Sequence, residues 1–542
     1  AWLRAASRLL TAGDADAGHA SRSLRCGVLG ALLRVLAATG QWEACRAASA
    51  ELIEALRGDQ GTRRVAAVAF HALLERGLGD ASTARMVLEA ELCSMPGSTT
   101  PVGAADPLRV GLARVLLAQR QVADSRAVLD ACTESALAVS STLALVAAYA
   151  GDTSELGRHT ESGALAIDAL SDSALADDLD SLAHLAWAEA LGERGESARR
   201  HFARGLRVGR RAGHRLLTPY LLLGHAYSAI TTGHLRDAVR CAESAAVPGG
   251  ASGHDDLSGF ALALRAWAAV FLDGPDAAAI TAERAMGEIA GHGRLRAGAA
   301  GILALIRFGQ GRPAECVELI RSIGERDTER GPLSCVTPML HSLASMASSA
   351  LGQSAEAAAW TERARDAAGR LGLPGQQAYA LMASAVGTSD PQQAARTLGD
   401  AAAGFADAGL VLMECQARLL LAQKLVTLRR LDDASTEAGW AKGRADACGA
   451  RYVYRRAADV QRRIGAARSR RAEPGDGAIS ARERQIVRLV CLGKSNQEVA
   501  AELFLSAKTV EAHLTQIFRR LGVRSRAALI ARAAASGQVT EG

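Results

Sequence analysis

From its start to about position 450 the chain is punctuated at a nearly fixed interval, and that interval restricts its fold more than any other feature. Turn residues fall at Gly40, Gly79, Arg120, Gly151, Gly192, Gly233, Gly274, Gly311, Gly352, Ser389 and Arg429, spaced by 31 to 41 residues. Each closes a stretch rich in Ala and Leu and precedes a second helix that opens on acidic and small residues. The opening is clearest at Gln41 to Ala44, His234 to Ala238, Arg312 to Cys316 and Gln353 to Ala357. Five residues after each turn stand Cys45, Ala84, Ser125, Leu156, Ser197, Ala238, Ala279, Cys316, Ala357, Ala394 and Ala434. All but Leu156 are small, which lets the two helices of a pair approach closely. Helix pairs of this size cannot bury their apolar faces alone. They must stack into one continuous core, so the spacing predicts an α-solenoid of about eleven helix pairs over residues 1–450.

The turn-then-small spacing resembles tetratricopeptide repeats, with units longer than usual because the first helix is longer. An all-α fold also suits a chain that is 49% hydrophobic but only 4% aromatic. The concave face of such an array is the usual place for a peptide or small molecule, so this region is read as a domain that senses a signal or partner.

After Arg451 the repeat gives way to a basic helix with Arg455, Arg456, Arg462 and Arg463. From Gly465 to Ala478 a stretch with Pro474, Gly475 and Gly477 reads as a flexible linker. Residues 1–450 carry 45 basic and 49 acidic side chains, whereas residues 451–542 carry 18 basic and 8 acidic. A basic end on a mildly acidic body is the footprint of nucleic-acid binding confined to that end.

Residues 479–542 show four helix starts in quick succession. Ser480 and Ser495 each precede a glutamate three residues on, Glu483 and Glu498, as in a capping box. Gly493 separates them, Ser506 caps a third helix through about Leu521, and Ser525 caps a fourth. Only Leu503, Phe504 and Leu505 join the second helix to the third, which is the tight crossing of a helix-turn-helix. Val499, Val510, Leu514, Ile517 and Leu521 fall at helical spacing and form the expected core.

Four submotifs here keep order and spacing: Ile479 to Glu483, Gly493 to Ala500, Leu505 to His513, and Leu521 to Arg526. Together they resemble the LuxR-type DNA-binding domain throughout its length, an eighth of the chain. With the preceding repeats they resemble the back half of the large ATP-binding LuxR regulators, the MalT-like class, without its nucleotide-binding module. The chain starts at Ala1 rather than Met, so either that module was cut away or this is a shorter regulator.

The resemblance implies a sequence-specific transcription regulator, with activation as its sense, and double-stranded promoter DNA and RNA polymerase as partners. It also implies a dimer on DNA, a cytoplasmic bacterial location at the nucleoid, and an unidentified small-molecule or protein inducer on the repeats. By the same resemblance Ser506 starts the recognition helix, and Lys508, Thr509 and His513 sit near the DNA backbone. Glu511, Ala512 and Thr515 form the base-facing set. Arg519 is grouped with them, and an ion pair to Arg519 is the alternative role for Glu511. The competing function is a repeat scaffold for proteins, with the basic domain as an accessory anchor.

Catalytic signatures are missing. Gly493, Lys494 and Ser495 match the end of a phosphate-binding loop, but Arg488 stands where that loop needs glycine. The expectation is no enzyme, no cofactor and no metal. The cluster Asp168, Asp172, Asp177, Asp178 and Asp180 reads as a solvated helix end rather than a metal site. The ten cysteines lack any Cys-x-x-Cys pair and suit buried packing positions. No signal peptide is expected, and the uncharged runs Ser135 to Gly151 and Gly331 to Ala355 read as buried repeat helices. Trp42, Trp187, Trp267, Trp360 and Trp440 recur within repeats and default to core packing, with lining a ligand face as the alternative.

Overall fold

A computed structural model describes residues 19–57, 61–95, 103–133, 136–246, 255–289, 294–324, 334–472, 480–503 and 505–535. Among them every regular element is helical, and eleven pairs form the repeat region. The first four are α1 (His19–Thr39) with α2 (Trp42–Ala55), α3 (Thr62–Gly77) with α4 (Ala81–Ser94), α5 (Asp106–Ala118) with α6 (Val122–Asp130), and α7 (Leu137–Ala150) with α8 (Thr153–Ala169). One extra turn, α9 (Asp172–Ala176), precedes α10 (Leu179–Leu191) with α11 (Gly195–Ala212). Then come α12 (Thr218–Thr231) with α13 (Leu235–Ala245), α14 (Asp255–Leu272) with α15 (Pro275–Glu288), and α16 (Arg294–Gly309) with α17 (Pro313–Ser322). A short 3-10 turn at Ser334–Val336 leads to α18 (Thr337–Ala350) with α19 (Ser354–Leu371). The last pairs are α20 (Pro374–Gly387) with α21 (Pro391–Asp407), and α22 (Val411–Thr427) with α23 (Leu431–Ala447); α24 (Arg451–Ala472) follows.

Nine of the eleven expected turn residues have a positive φ at the chain reversal, from Gly40 at φ 72° to Arg429 at φ 61°, with Gly274 the extended one at φ 108° and ψ 170°. The two exceptions have physical causes. At the fifth pair Glu193, not Gly192, is left-handed, with φ 60°. Gly192 serves packing instead, because a Cβ there would lie 3.0 Å from Leu156 Cδ2. The one-residue shift also explains why Ser197 is only half-buried, since the fifth residue after Glu193 is Ala198, which is fully buried. Leu156, the one large residue of the set, finds its room over Gly192. At the tenth pair Pro391 keeps Asp390 extended, and Asp390 caps α21 by accepting from Gln392 N at 2.9 Å. No left-handed residue is needed at Ser389.

The segment expected as linker behaves differently from that reading. α24 continues through residue 472, and Val453, Ala457, Val460, Ile464 and Ala467 are buried in the core shared with α22 and α23. Their spacing of three and four carries past Gly465, which sits on the exposed side where its weak helix propensity costs only about 1 kcal/mol. Residues 473–479 lie outside the described residues.

The array also closes on itself. Gly77 packs under Leu216, and Ser334 Oγ donates to Ala148 O and Tyr149 O, both at 2.9 Å. Arg451 reaches Asp273 at 2.6 Å, and Tyr452 lies over Gly274. Pairs four or five apart in sequence are thereby joined, and one core cluster runs from Leu223 on α12 to Ala467 on α24.

The acidic cluster is solvated only in part and is not gathered at one point: Asp168 and Asp177 are exposed, Asp172 and Asp178 half-buried and Asp180 buried. Asp168 pairs with Arg200 and His201, Asp172 with Arg204, and Asp178 accepts from Ser181. Asp180 is buried and receives Arg76 at 2.7 Å and Arg114 at 2.8 Å, linking the second, third and fifth pairs. Burial opposes that charge, but the two guanidinium groups outweigh it and hold the carboxyl far below its usual range. Beside it, desolvation pushes His184 down to about 3. Among the described residues no group of three or more His, Cys, Asp or Glu side chains could hold a metal, and no helix is long and apolar enough to cross a membrane.

Candidate nucleic-acid interface

The C-terminal unit is built from its caps. Glu483 N donates to Ser480 Oγ at 3.1 Å while Ser480 N donates to Glu483 Oε2 at 2.7 Å, opening α25 (Ala481–Cys491). The same reciprocal pair at Ser495 and Glu498 opens α26 (Asn496–Glu502), after Gly493 turns the chain at φ 82°. Thr509 N donates to Ser506 Oγ at 3.1 Å, starting α27 (Ala507–Leu521), which Gly522 ends at φ 64°. Ala528 N donates to Ser525 Oγ at the head of α28 (Arg526–Ala535). Phe504, part of the expected crossing, lies outside the described residues.

Val499, Val510, Leu514 and Ile517 are buried as expected, with Leu521 at the edge of the cluster. Ile486, Val487 and Val490 on α25, Ala500 on α26, and Leu529 and Ala533 on α28 complete it. These six were absent from the expected core, although a spacing of three and four was visible on α25 and α28. Polar ties then fix the helices against one another. Arg520 Nη1 donates to Glu483 Oε2 at 2.8 Å, Arg482 Nη2 to Leu503 O at 2.6 Å, and Arg526 to Asn496 Oδ1 at 3.0 Å. Burial pushes the Glu483 carboxyl up, but the Ser480 hydrogen bonds and the Arg520 charge leave it below its ordinary value.

Because Val510, Leu514 and Ile517 face inward, helical spacing turns Lys508, Ala512, Thr515 and Arg519 outward as one stripe, flanked by Glu511. All five are exposed, as are Ser506 and Thr509 at the start of the helix. His513 is set apart. It is half-buried, and its charge acts on Glu483, so it sits on the flank toward α25. Glu511 and Arg519 form no ion pair with each other; the Glu511 carbonyl accepts from Thr515 Oγ1 at 3.0 Å. The sequence reading missed Gln516, which is exposed four residues after Ala512 and belongs to the same face. The period of the helix was the signal that could have found it.

The pattern described as "Bacterial regulatory proteins, luxR family" matches residues 478–533. A Mycobacterium bovis protein, Mb0914c, named as an HTH-type transcriptional regulator, is 36% identical over 107 residues, which is 20% of this chain and 11% of that one. The NarL transcriptional regulatory protein of Mycobacterium tuberculosis is 40% identical over 63 residues, 12% of this chain and 29% of its own length. The chain thus spans a small part of the curated relatives it matches. Among solved structures, Scc4 in complex with Scc2n and Ctf19n aligns over 81% of this chain and 91% of that one, at 10% identity and a TM-score of 0.41. That likeness is too loose to carry an argument. The capping boxes, the short crossing, the exposed third helix and the family match agree, and residues 478–533 are a LuxR-family helix-turn-helix domain.

Proposed function

We propose that this chain is a sequence-specific DNA-binding transcription regulator in which α27 reads promoter DNA and the helical repeats receive the signal. One observation carries the reading: α27 presents an outer face, Lys508, Glu511, Ala512, Thr515 and Arg519, that is exposed among the described residues, opposite its buried side. A helix with one packed and one free face is what the major groove accepts. Lys508 and Arg519 supply phosphate-directed charge, and Ser506 with Thr509 offers hydroxyls at the helix start. His513, turned toward α25, serves the backbone only from the flank of the helix. Gln516 adds an amide that suits the paired donor and acceptor of adenine.

In this proposal residues 1–450, with α24 packed onto their core, are the sensing domain, 473–478 connect it, and 479–542 bind DNA as a dimer on a two-fold operator. Activation through RNA polymerase, and a cytoplasmic site of action at the nucleoid, complete the assignment. The test is a binding-site selection with the full chain, followed by affinity measurements over a salt series. The selected duplex is expected to bind on the order of a thousandfold or more above a scrambled one, with log affinity falling linearly against log salt. Equal affinity for both duplexes at every salt concentration would remove the regulator reading.

A further inference from the structure

Where α10, α12 and α14 meet α18, α20 and α22, the closed array leaves a cavity of about 40 Å3. Tyr227, Trp267, Phe271 and Tyr379 form much of its wall. Glu193 and Gln376 interrupt that wall. Glu193 holds a left-handed backbone without being glycine, and its carboxylate reaches across the seam. Oε2 accepts from Gly375 N at 2.8 Å, and Oε1 accepts from Gln376 Nε2 at 3.2 Å. A Cβ on residue 375 would lie 2.6 Å from Glu193 Oε1, so only glycine permits this approach.

The carboxylate fixes the direction of the Gln376 amide. With Nε2 turned toward Glu193, Oε1 points elsewhere; it is buried, with no hydrogen-bond donor, on a side chain only 5% exposed. Among the described residues no Lys, Arg or His lines the cavity, and the two donors to Glu193, Gly375 N and Gln376 Nε2, are neutral. A buried acceptor without a donor is unfavourable, and burial pushes the Glu193 carboxyl up against the Gly375 and Gln376 hydrogen bonds, so its charged form lacks a counter-charge. Aromatic faces, in turn, attract a cation placed over them. The missing complement is a compact cation that carries N–H groups.

We propose that this cavity binds a small primary ammonium ion, donating to Glu193 and, once a small turn of the Gln376 side chain brings its enclosed Oε1 to the cavity, to that oxygen, while its short apolar tail packs among the aromatic rings. The proposal rests on the repeats being the signal-receiving part, and it gives that part a site and a ligand class. The volume equals that of about three waters, so the ion is a head group with a few carbons. A longer tail requires Met339 and Met413 to move, which their unbranched side chains permit.

The test is thermal unfolding of the full chain with propylammonium, propanol or propionate added in turn. Propylammonium at about a hundredfold excess over its Kd should raise the melting midpoint by about 2–3 °C. Propanol and propionate should leave it unchanged. Glu193→Gln should abolish the response, and Gln376→Leu should weaken ammonium binding on the order of tenfold. If Glu193→Gln does not fold, Gln376→Leu decides alone. An equal response to propanol, no response to any of the three, or undiminished binding in Gln376→Leu overturns the site. DNA affinity of the same samples without amine is the separate check. Intact DNA binding with no ammonium response rejects the cavity proposal alone, and lost DNA binding with a normal ammonium response rejects the regulator reading alone.

Discussion

Arg520 Nη1 lies 2.8 Å from Glu483 Oε2, so the last turn of α27 is tied to the capping box that starts α25. Glu483 is 2% exposed, and the same oxygen accepts from Ser480 N at 2.7 Å. One carboxylate therefore caps the first helix of the DNA-binding domain and orients its third. Glu483→Ala should cost that domain about 1–3 kcal/mol, because two donors lose their acceptor in a buried place. Arg520→Ala should cost less, and the double variant less than the sum of the two. Hydrogen exchange at the amides of α25 and α27 in the full chain measures all three, and strict additivity would mean that the pair is not coupled.

The same carboxylate sets an acid limit. Its pKa is lowered in the folded domain, so its contribution is complete above the unfolded value of about 4.3 and is lost as pH falls through the folded value. The domain should loosen progressively below about pH 4.5 by the same exchange measurement. In Glu483→Gln this part of the pH dependence should be missing while the domain is less stable at neutral pH. A wild-type acid slope in that variant would assign the loss to other groups.

Arg429 closes the first helix of the last pair with φ 61° and is exposed. A side chain in that conformation costs about 1–2 kcal/mol relative to glycine, which adopts it freely. Arg429→Gly should therefore stabilise the repeat region by roughly 1 kcal/mol, less the greater chain entropy of unfolded glycine. A change of the opposite sign in urea unfolding would show that the Arg429 side chain contributes more than its backbone costs.

Asp180 should behave in the contrary way to a surface acid. It joins Arg76 and Arg114 across pairs that are far apart in sequence, and Arg114 is itself buried, with further bonds to Thr142 and Ser181. Asp180→Ala leaves a buried guanidinium unpaired, which typically costs about 3–5 kcal/mol. Urea unfolding monitored by tryptophan emission should register this, and a cost below about 1 kcal/mol would mean that solvent reaches Arg114.

The repeat period and the caps were legible because each is a local requirement: a left-handed turn wants glycine, and a helix start wants serine with glutamate three residues on. Seven glycine turns and the two capping boxes at Ser480 and Ser495 were readable for that reason, and Ser506 and Ser525 by the serine alone. What was hidden depends on residues distant in the chain. Gly192 looked like one more turn, yet its lack of a Cβ serves Leu156, and Glu193 takes the strained position. Gly465 looked like the start of a linker, although Ile464 and Ala467 continue a buried stripe that only α22 and α23 reveal. Asp180 looked solvated because its two arginines lie 104 and 66 residues earlier. The outer face of α27 was readable in outline, and Gln516, one turn past Ala512, extends it.

Lys508 and Glu511 stand on one exposed face with opposite charge, and they should fail in opposite ways when removed. Lys508 has no carboxylate partner among the described residues, so its charge is available to a phosphate. Lys508→Ala should weaken binding to all duplexes alike and flatten the salt slope by about one unit. Glu511 repels phosphate, but its carboxylate can accept from the amino group of cytosine in the major groove. It is not engaged by Arg519, so the ion-pair alternative does not occupy it in this structure. Glu511→Ala should raise affinity for non-cognate DNA while relaxing the preference at one base pair by about 1–3 kcal/mol. Binding-site selections with wild type and the two variants separate the roles. If Glu511→Ala selects the same bases as wild type at every position, Glu511 does not read DNA, and specificity passes to Ala512, Thr515 and Gln516.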